Sequence, residues 1–100
     1  MKVITFSYIN GELPHGATAV FDCRALPDID TRRPAAQAIL RRALDHAGAG
    51  AVVAFGCGFG QQRSVEMART FLRQLGGRYP VDVEHRALRR RESYEQGEVP

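Results

Sequence analysis

Polar and apolar positions along the chain alternate in some stretches, run unbroken in another, and recur at helical spacing in two more. Val3 to Ile9 alternates, which predicts a first strand with Phe6 and Tyr8 on one face and Thr5, Ser7 and Ile9 on the other. Asn10-Gly11 signals a turn, and an irregular connection leads to a second strand over Thr18–Phe21 that closes on Asp22-Cys23-Arg24. Pro34 suits the first turn of a helix, where its missing N–H would be unpaired anyway. Ala36, Ile39, Leu40, Ala43 and Ala47 supply that helix's buried stripe, Arg41, Arg42, Asp45 and His46 its solvated side, and Gly48 its stop. Ala51-Val52-Val53-Ala54-Phe55 is an unbroken apolar run, as expected of a strand covered on both faces.

A glycine-rich turn, Gly56 to Gln62, joins that run to a helix opening at Arg63, with Ala68, Phe71, Leu72 and Leu75 on one face. Gly76-Gly77 ends it, and Val81 to His85 alternates as a last strand. The expectation is a single small α/β domain over residues 1–92. It has a mainly parallel or mixed sheet of about four strands and two main helices, in the order β-β-α-β-α-β. Residues 93–100 read as a poorly ordered tail.

Composition narrows the function classes only a little. Hydrophobic content of 44% and charged content of 25% are ordinary globular values, and a net charge of +3 does not by itself demand a nucleic-acid partner. Neither a signal-peptide core nor about 18 consecutive apolar residues is present, so no membrane is expected. The two cysteines then read as reduced thiols in a cytoplasm, and the lack of further Cys or His at ligand spacing argues against zinc. Arg86, Arg89, Arg90 and Arg91 form a basic cluster beside Glu92, Glu95 and Glu98. It reads either as a solubilising end or as a contact for RNA phosphates.

The chemistry concentrates in the turn before the second helix. Gly56, Gly58 and Gly60 let the backbone curl into a concave nest, and the helix N-terminus adds its positive end. Arg63 adds a forked cation suited to phosphate or carboxylate. The predicted anion site comprises Cys57, Gly58, Phe59, Gly60, Gln61, Gln62, Arg63 and Ser64. Asp22 and Arg24 stand at the same sheet edge if the second and third strands are parallel. The bland alternatives are a tight βα turn and an Asp22–Arg24 surface pair. No G-x-x-x-x-G-K-[ST] loop and no in-phase G-x-G-x-x-G is present, and no cofactor is expected.

Two resemblances attach to these residues. Cys57 to Ser64 fits the C-x-x-G-x-x-R-[ST] phosphate loop of protein tyrosine phosphatases, although Gly56 replaces that family's usual histidine. This resemblance implies a Cys57 nucleophile, an Arg63 phosphate clamp, Ser64 assisting the thiolate, and a general acid among Asp22, Asp28 and Asp30.

The second covers nearly the whole chain. Ile4 to Ser7 with Gly11 to Pro14, then Phe21-Asp22-Cys23-Arg24-Ala25-Leu26-Pro27, then Phe55 to Val65, then Glu84 to Leu88 with the basic tail, resemble in order four motifs of the RapZ C-terminal domain family (RNase adapter proteins). This resemblance implies a non-enzymatic, oligomeric bacterial regulatory domain that binds glucosamine-6-phosphate and a small RNA, with the phosphate on the glycine loop and Arg63. The family's loop threonine and following glycine are here Gly58 and Phe59, its loop histidine is Gln62, and its N-P-H run is missing after Pro27. The family's N-terminal nucleotide-binding domain has no counterpart in these residues, so the expectation is a stand-alone domain without ATP or GTP function. A degenerate domain that binds only a partner protein is the third reading.

Overall fold

Strands form where branched and aromatic residues run together, and the computed structural model, which describes residues 1–100, pairs five of them into one sheet. They are β1 (Lys2–Ser7), β2 (Ala19–Asp22), β3 (Val52–Cys57), β4 (Val81–His85) and β5 (Arg90–Tyr94), in the order β2-β3-β1-β4-β5. The first four are parallel, and β5 returns antiparallel to β4. Two helices, α1 (Pro34–Asp45) and α2 (Arg63–Leu75), complete an α/β fold close to the expected one.

Both helices lie on one face. Val3, Phe21, Val53 and Phe55 from the sheet meet Ala36, Leu40, Met67, Phe71 and Leu75 from the helices in one core. Phe55 stands at its centre, with ring centroids 5.7 Å from Phe21 and 5.5 Å from Phe71. On the opposite face Ile4, Phe6 and Ala54 are buried as well, against Tyr8 and Ala17 of the connection between β1 and β2. Chain direction explains that cover. The steps from β2 to β3 and from β3 to β4 progress one way across the sheet, whereas the step from β1 to β2 runs the other way. Crossovers of a common right hand therefore put the last connection on the face opposite the helices. Thr5 and Ser7, on the helix-covered side, are consequently as buried as Phe6.

Several boundaries differ from the sequence expectation. The polar stretch Arg90–Tyr94 is a fifth strand, so the domain limit expected at residue 92 falls inside β5, and Ser93 and Tyr94 are paired rather than part of a loose tail. The strand β1 stops at Ser7, because Asn10 N–H donates to the Ser7 hydroxyl and Gly11 N–H to the Ser7 carbonyl, turning the chain. The helix α1 ends at Asp45 rather than running to Gly48, with the His46 N–H closing on the Ala43 carbonyl. Gly76, by contrast, caps α2 in the left-handed conformation, as a glycine stop should.

Candidate functional site

The junction between β3 and α2 is shaped by what its glycines touch. A Cβ on Gly56 would lie 2.4 Å from Phe6 Cζ and 2.6 Å from the Tyr8 ring, so the residue before Cys57 has no room for a side chain. Gly60 takes φ +70°, and a Cβ there would sit 2.6 Å from the Phe6 carbonyl carbon. The loop is thus folded down onto the end of β1, and its amides turn inward. Pairing extends past β1, with Tyr8 N–H donating to the Cys57 carbonyl and Ile9 N–H to that of Gly58.

Cys57 is the last residue of β3, and its Sγ lies 3.3 Å from Ser64 Oγ at the start of α2. Burial pushes this thiol up. The Ser64 hydroxyl and the backbone amides of Ser64, Gly60 and Gln62 outweigh that effect and hold it below its ordinary range. No side chain caps α2, so its first amides are satisfied in part by this sulfur.

Arg63 is tied down by backbone carbonyls of the β2–α1 connection. Its Nη1 donates to the Arg24 carbonyl at 3.0 Å and to the Leu26 carbonyl at 2.9 Å. Its Nη2 stays on the loop side, 4.0 Å from where a Gly58 Cβ would stand. The guanidinium therefore bridges the loop to the β2–α1 connection while presenting its remaining N–H groups to a small depression. That depression, about 160 Å³, is lined by Cys57, Phe59, Gln61, Gln62 and Arg63. Phe59 projects from its rim and is 61% exposed.

The structure brings Cys57, Gln61, Gln62, Arg63 and Ser64 together and places Asp22 and Arg24 beside them with other partners. The Arg24 guanidinium closes on Asp22 through Nε at 3.0 and 3.1 Å and Nη2 at 2.8 Å, and lies 3.9 Å over the Tyr8 ring. Arg24 meets Arg63 only through its backbone carbonyl. Asp28 and Asp30 are likewise taken up by Arg33 and Arg32, and hydrogen bonds from those arginines hold both carboxyls below their ordinary range. No group of three or more His, Cys, Asp or Glu side chains is placed to hold a metal ion.

Sequence reasoning missed a wider groove of about 700 Å³ on the helix side of the loop. Gln62 and Arg63, Glu66 and Arg69 of α2, and Asp28 and Arg90 are among the residues that line it. Glu66 and Arg69 follow Arg63 at helical spacing, which is the one signal that pointed to them. Arg86, Arg89, Arg90 and Arg91 line one depression with Glu84 and His85, although the pleat of β5 sets the last two on opposite faces. Arg90 shares a sheet face with His85 and also lines the wider groove, whereas Arg91 pairs in register with Glu84 on the opposite face. His85 itself is buried, with Nδ1 2.8 Å from Thr5 Oγ1 and Nε2 3.5 Å from Glu92 Oε1.

Comparison with known proteins finds short similarities. Over 38 residues, 38% of this chain, it is 47% identical to proteins of Lactobacillus delbrueckii subsp. bulgaricus and Lactobacillus acidophilus, each named a nucleotide-binding protein. The similar segment spans 13% of the length of those relatives. No family model and no solved structure matches the chain. No helix is long and apolar enough to cross a membrane.

Proposed function

We propose that this chain is a non-enzymatic cytoplasmic binding domain for a phosphate-bearing small molecule, of the kind the RapZ C-terminal family represents. One observation carries the reading: a helix N-terminus, inward-turned amides and a braced Arg63 fork converge on one small depression without a carboxylate among its lining residues. The phosphate lies over Gly58–Ser64, and the rest of the ligand extends past Gln62 into the groove by Glu66 and Arg69. A glucosamine-6-phosphate-like phosphosugar fits this division, its anionic end on the loop and its amine towards Glu66 or Asp28. The relatives' name widens the ligand set to nucleotides, which share the phosphate group.

The measurement is a thermal-shift screen of phosphosugars, nucleotides, inorganic phosphate and sulfate, since a ligand that binds only the native state raises apparent stability. A phosphosugar or nucleotide shift that vanishes in Arg63→Gln is the expected result. No shift with any of them would sink the reading in favour of a domain that binds only a protein partner.

The lowered Cys57 thiol favours a second reading, a cysteine-dependent phosphatase with Arg63 as clamp and Ser64 as helper. Against it, each carboxylate proposed as general acid (Asp22, Asp28, Asp30) is held ionised by its own arginine. Turnover of an aryl phosphate, abolished in Cys57→Ser, would establish the enzyme. RNA contact through Arg86, Arg89, Arg90 and Arg91, and assembly into a homo-oligomer, are separate proposals. The first predicts a salt-sensitive gel shift lost when these arginines are replaced, the second a mass above that of one chain in light scattering.

A further inference from the structure

The two cysteines lie side by side at the end of adjacent parallel strands. Asp22 pairs with Gly56, and the Cys23 N–H donates to the Gly56 carbonyl at 2.7 Å, which carries the register one step further and sets Cys23 beside Cys57. Neighbouring strands run about 4.8 Å apart, inside the range of about 4.4–6.8 Å between Cα atoms that a disulfide spans. Both side chains belong to the same helix-covered core, so they leave the sheet on the same side. Both are free thiols. Both are buried, and of the two it is Cys57 that stands among the residues lining the depression.

We propose that Cys57 is a site of reversible oxidation by hydroperoxides and that Cys23 resolves it into an intramolecular Cys23–Cys57 disulfide. The Cys57 thiolate attacks the peroxide. An S–O bond forms, the O–O bond breaks, and Cys57 becomes a sulfenic acid. The other oxygen leaves with the proton that Cys57 had released, as water from hydrogen peroxide or as an alcohol from an organic hydroperoxide. The Cys23 sulfur then displaces the sulfenic hydroxyl, which departs with the Cys23 proton as water. The two sulfurs together lose two electrons, and the peroxide gains them.

The order of events follows from the surroundings. The amides and Ser64 that hold Cys57 low supply a thiolate facing the depression. Burial, and then the neighbouring Cys57 and Asp22 charges, push the Cys23 thiol up to about 12, so Cys23 does not initiate. Conversion of Cys57 to a neutral sulfenic acid removes one of those charges and makes Cys23 a better attacker. Resolution is the slow step and accelerates as pH rises. The bond would draw the sulfur away from Ser64 and remove a negative charge from the loop. This chemistry requires no bound anion, so it stands or falls separately from the ligand reading.

The test is peptide mapping and intact mass of the whole chain after stoichiometric hydrogen peroxide. The expected result is loss of both free thiols, a Cys23–Cys57 linked peptide, and recovery with dithiothreitol. In Cys23→Ala or Cys23→Ser, Cys57 should accumulate as a dimedone-reactive sulfenic acid and proceed to sulfinic acid. In Cys57→Ser, Cys23 should stay reduced. A wild-type chain that keeps Cys23 free while Cys57 over-oxidises as fast as in Cys23→Ala would overturn the proposal. Exclusively intermolecular disulfides would do the same.

Discussion

The junction after β2 and the junction after β3 both cross the carboxyl edge of the sheet before entering a helix, yet they treat charge in opposite ways. In the first, Asp22, Asp28 and Asp30 each bind an arginine a few residues on, and each also accepts a backbone N–H (Arg24, Asp30 and Arg32, respectively). That connection neutralises itself. In the second, residues 56–63 include no carboxylate, and the amides at the start of α2 turn to a cysteine sulfur instead. The same strand-to-helix architecture thus yields one turn that pairs its own charges and one whose amides and Arg63 meet no carboxylate. The difference lies in side chains, not topology. Arg63 links the two, because it belongs to the second junction and hydrogen-bonds the backbone of the first.

The largest expected effect comes from filling the space on which the second junction depends. Gly60→Ala combines a left-handed backbone with a Cβ 2.6 Å from the Phe6 carbonyl carbon, and should cost about 2–5 kcal/mol in urea denaturation. Gly16→Ala has a similar φ of +74° but open space around it, so a comparable cost there would show that strain alone was responsible.

Next is Arg63. Its replacement by Gln should abolish the phosphate-dependent thermal shift and also cost about 1–3 kcal/mol of stability, as two charge-assisted hydrogen bonds to carbonyls are lost. Arg63→Lys should weaken binding about tenfold by calorimetry, about 1.4 kcal/mol. Unchanged affinity would mean that charge matters at this site and the fork does not.

The third prediction isolates the sulfur. Iodoacetamide reactivity of Cys57 should inflect below the ordinary thiol value of 9.0, and Ser64→Ala should move the inflection upward. A profile that Ser64→Ala leaves in place would assign the effect to the amides alone.

Away from both junctions, burial holds His85 below 6.5. The unfolded chain therefore takes up the proton first, and stability should be fully present above about pH 6.5 and fall as pH drops further. Replacing His85 by Asn should flatten that slope. Smallest of all is Asp28→Asn in the self-paired junction. Its carboxyl is depressed below 3.8 by Arg33, so its contribution is present above that pH, disappears in acid and is screened by salt.

Much of this arrangement was legible in the sequence. The apolar run at Ala51–Phe55, Pro34 and Gly76 each act through local chemistry, and each marks its element where it stands. The Gly56–Ser64 loop was legible as a strand-to-helix turn for the same reason, since Gly56 and Gly60 stand where a side chain would meet the end of β1. What the sequence hid depends on partners far away. Arg90–Tyr94 is too polar to read as a strand, and it pairs because β4 offers an edge, with the Ser93 hydroxyl donating to Asp82. Tyr8 looked like part of a strand, but it is the platform beneath Arg24. Asp22 and Arg24 were legible both as neighbours of the loop and as the surface pair that they form.

The place of β1 in the sheet has a consequence for how the chain is made. The first strand of this domain ends in the middle of the sheet, flanked by β3 and β4, and the Met1 amine donates to the carbonyl of Pro80. Its partners lie some fifty and eighty residues downstream, as the pairings of Lys2 with Val52 and Asp82 show. A nascent chain must therefore hold one edge of this apolar strand unpaired until β3 is made and the other until β4 is. Folding should be slow for so short a chain and close to all-or-none. Refolding rate, more than equilibrium stability, should be the property most sensitive to a lengthened α1–β3 or α2–β4 connection.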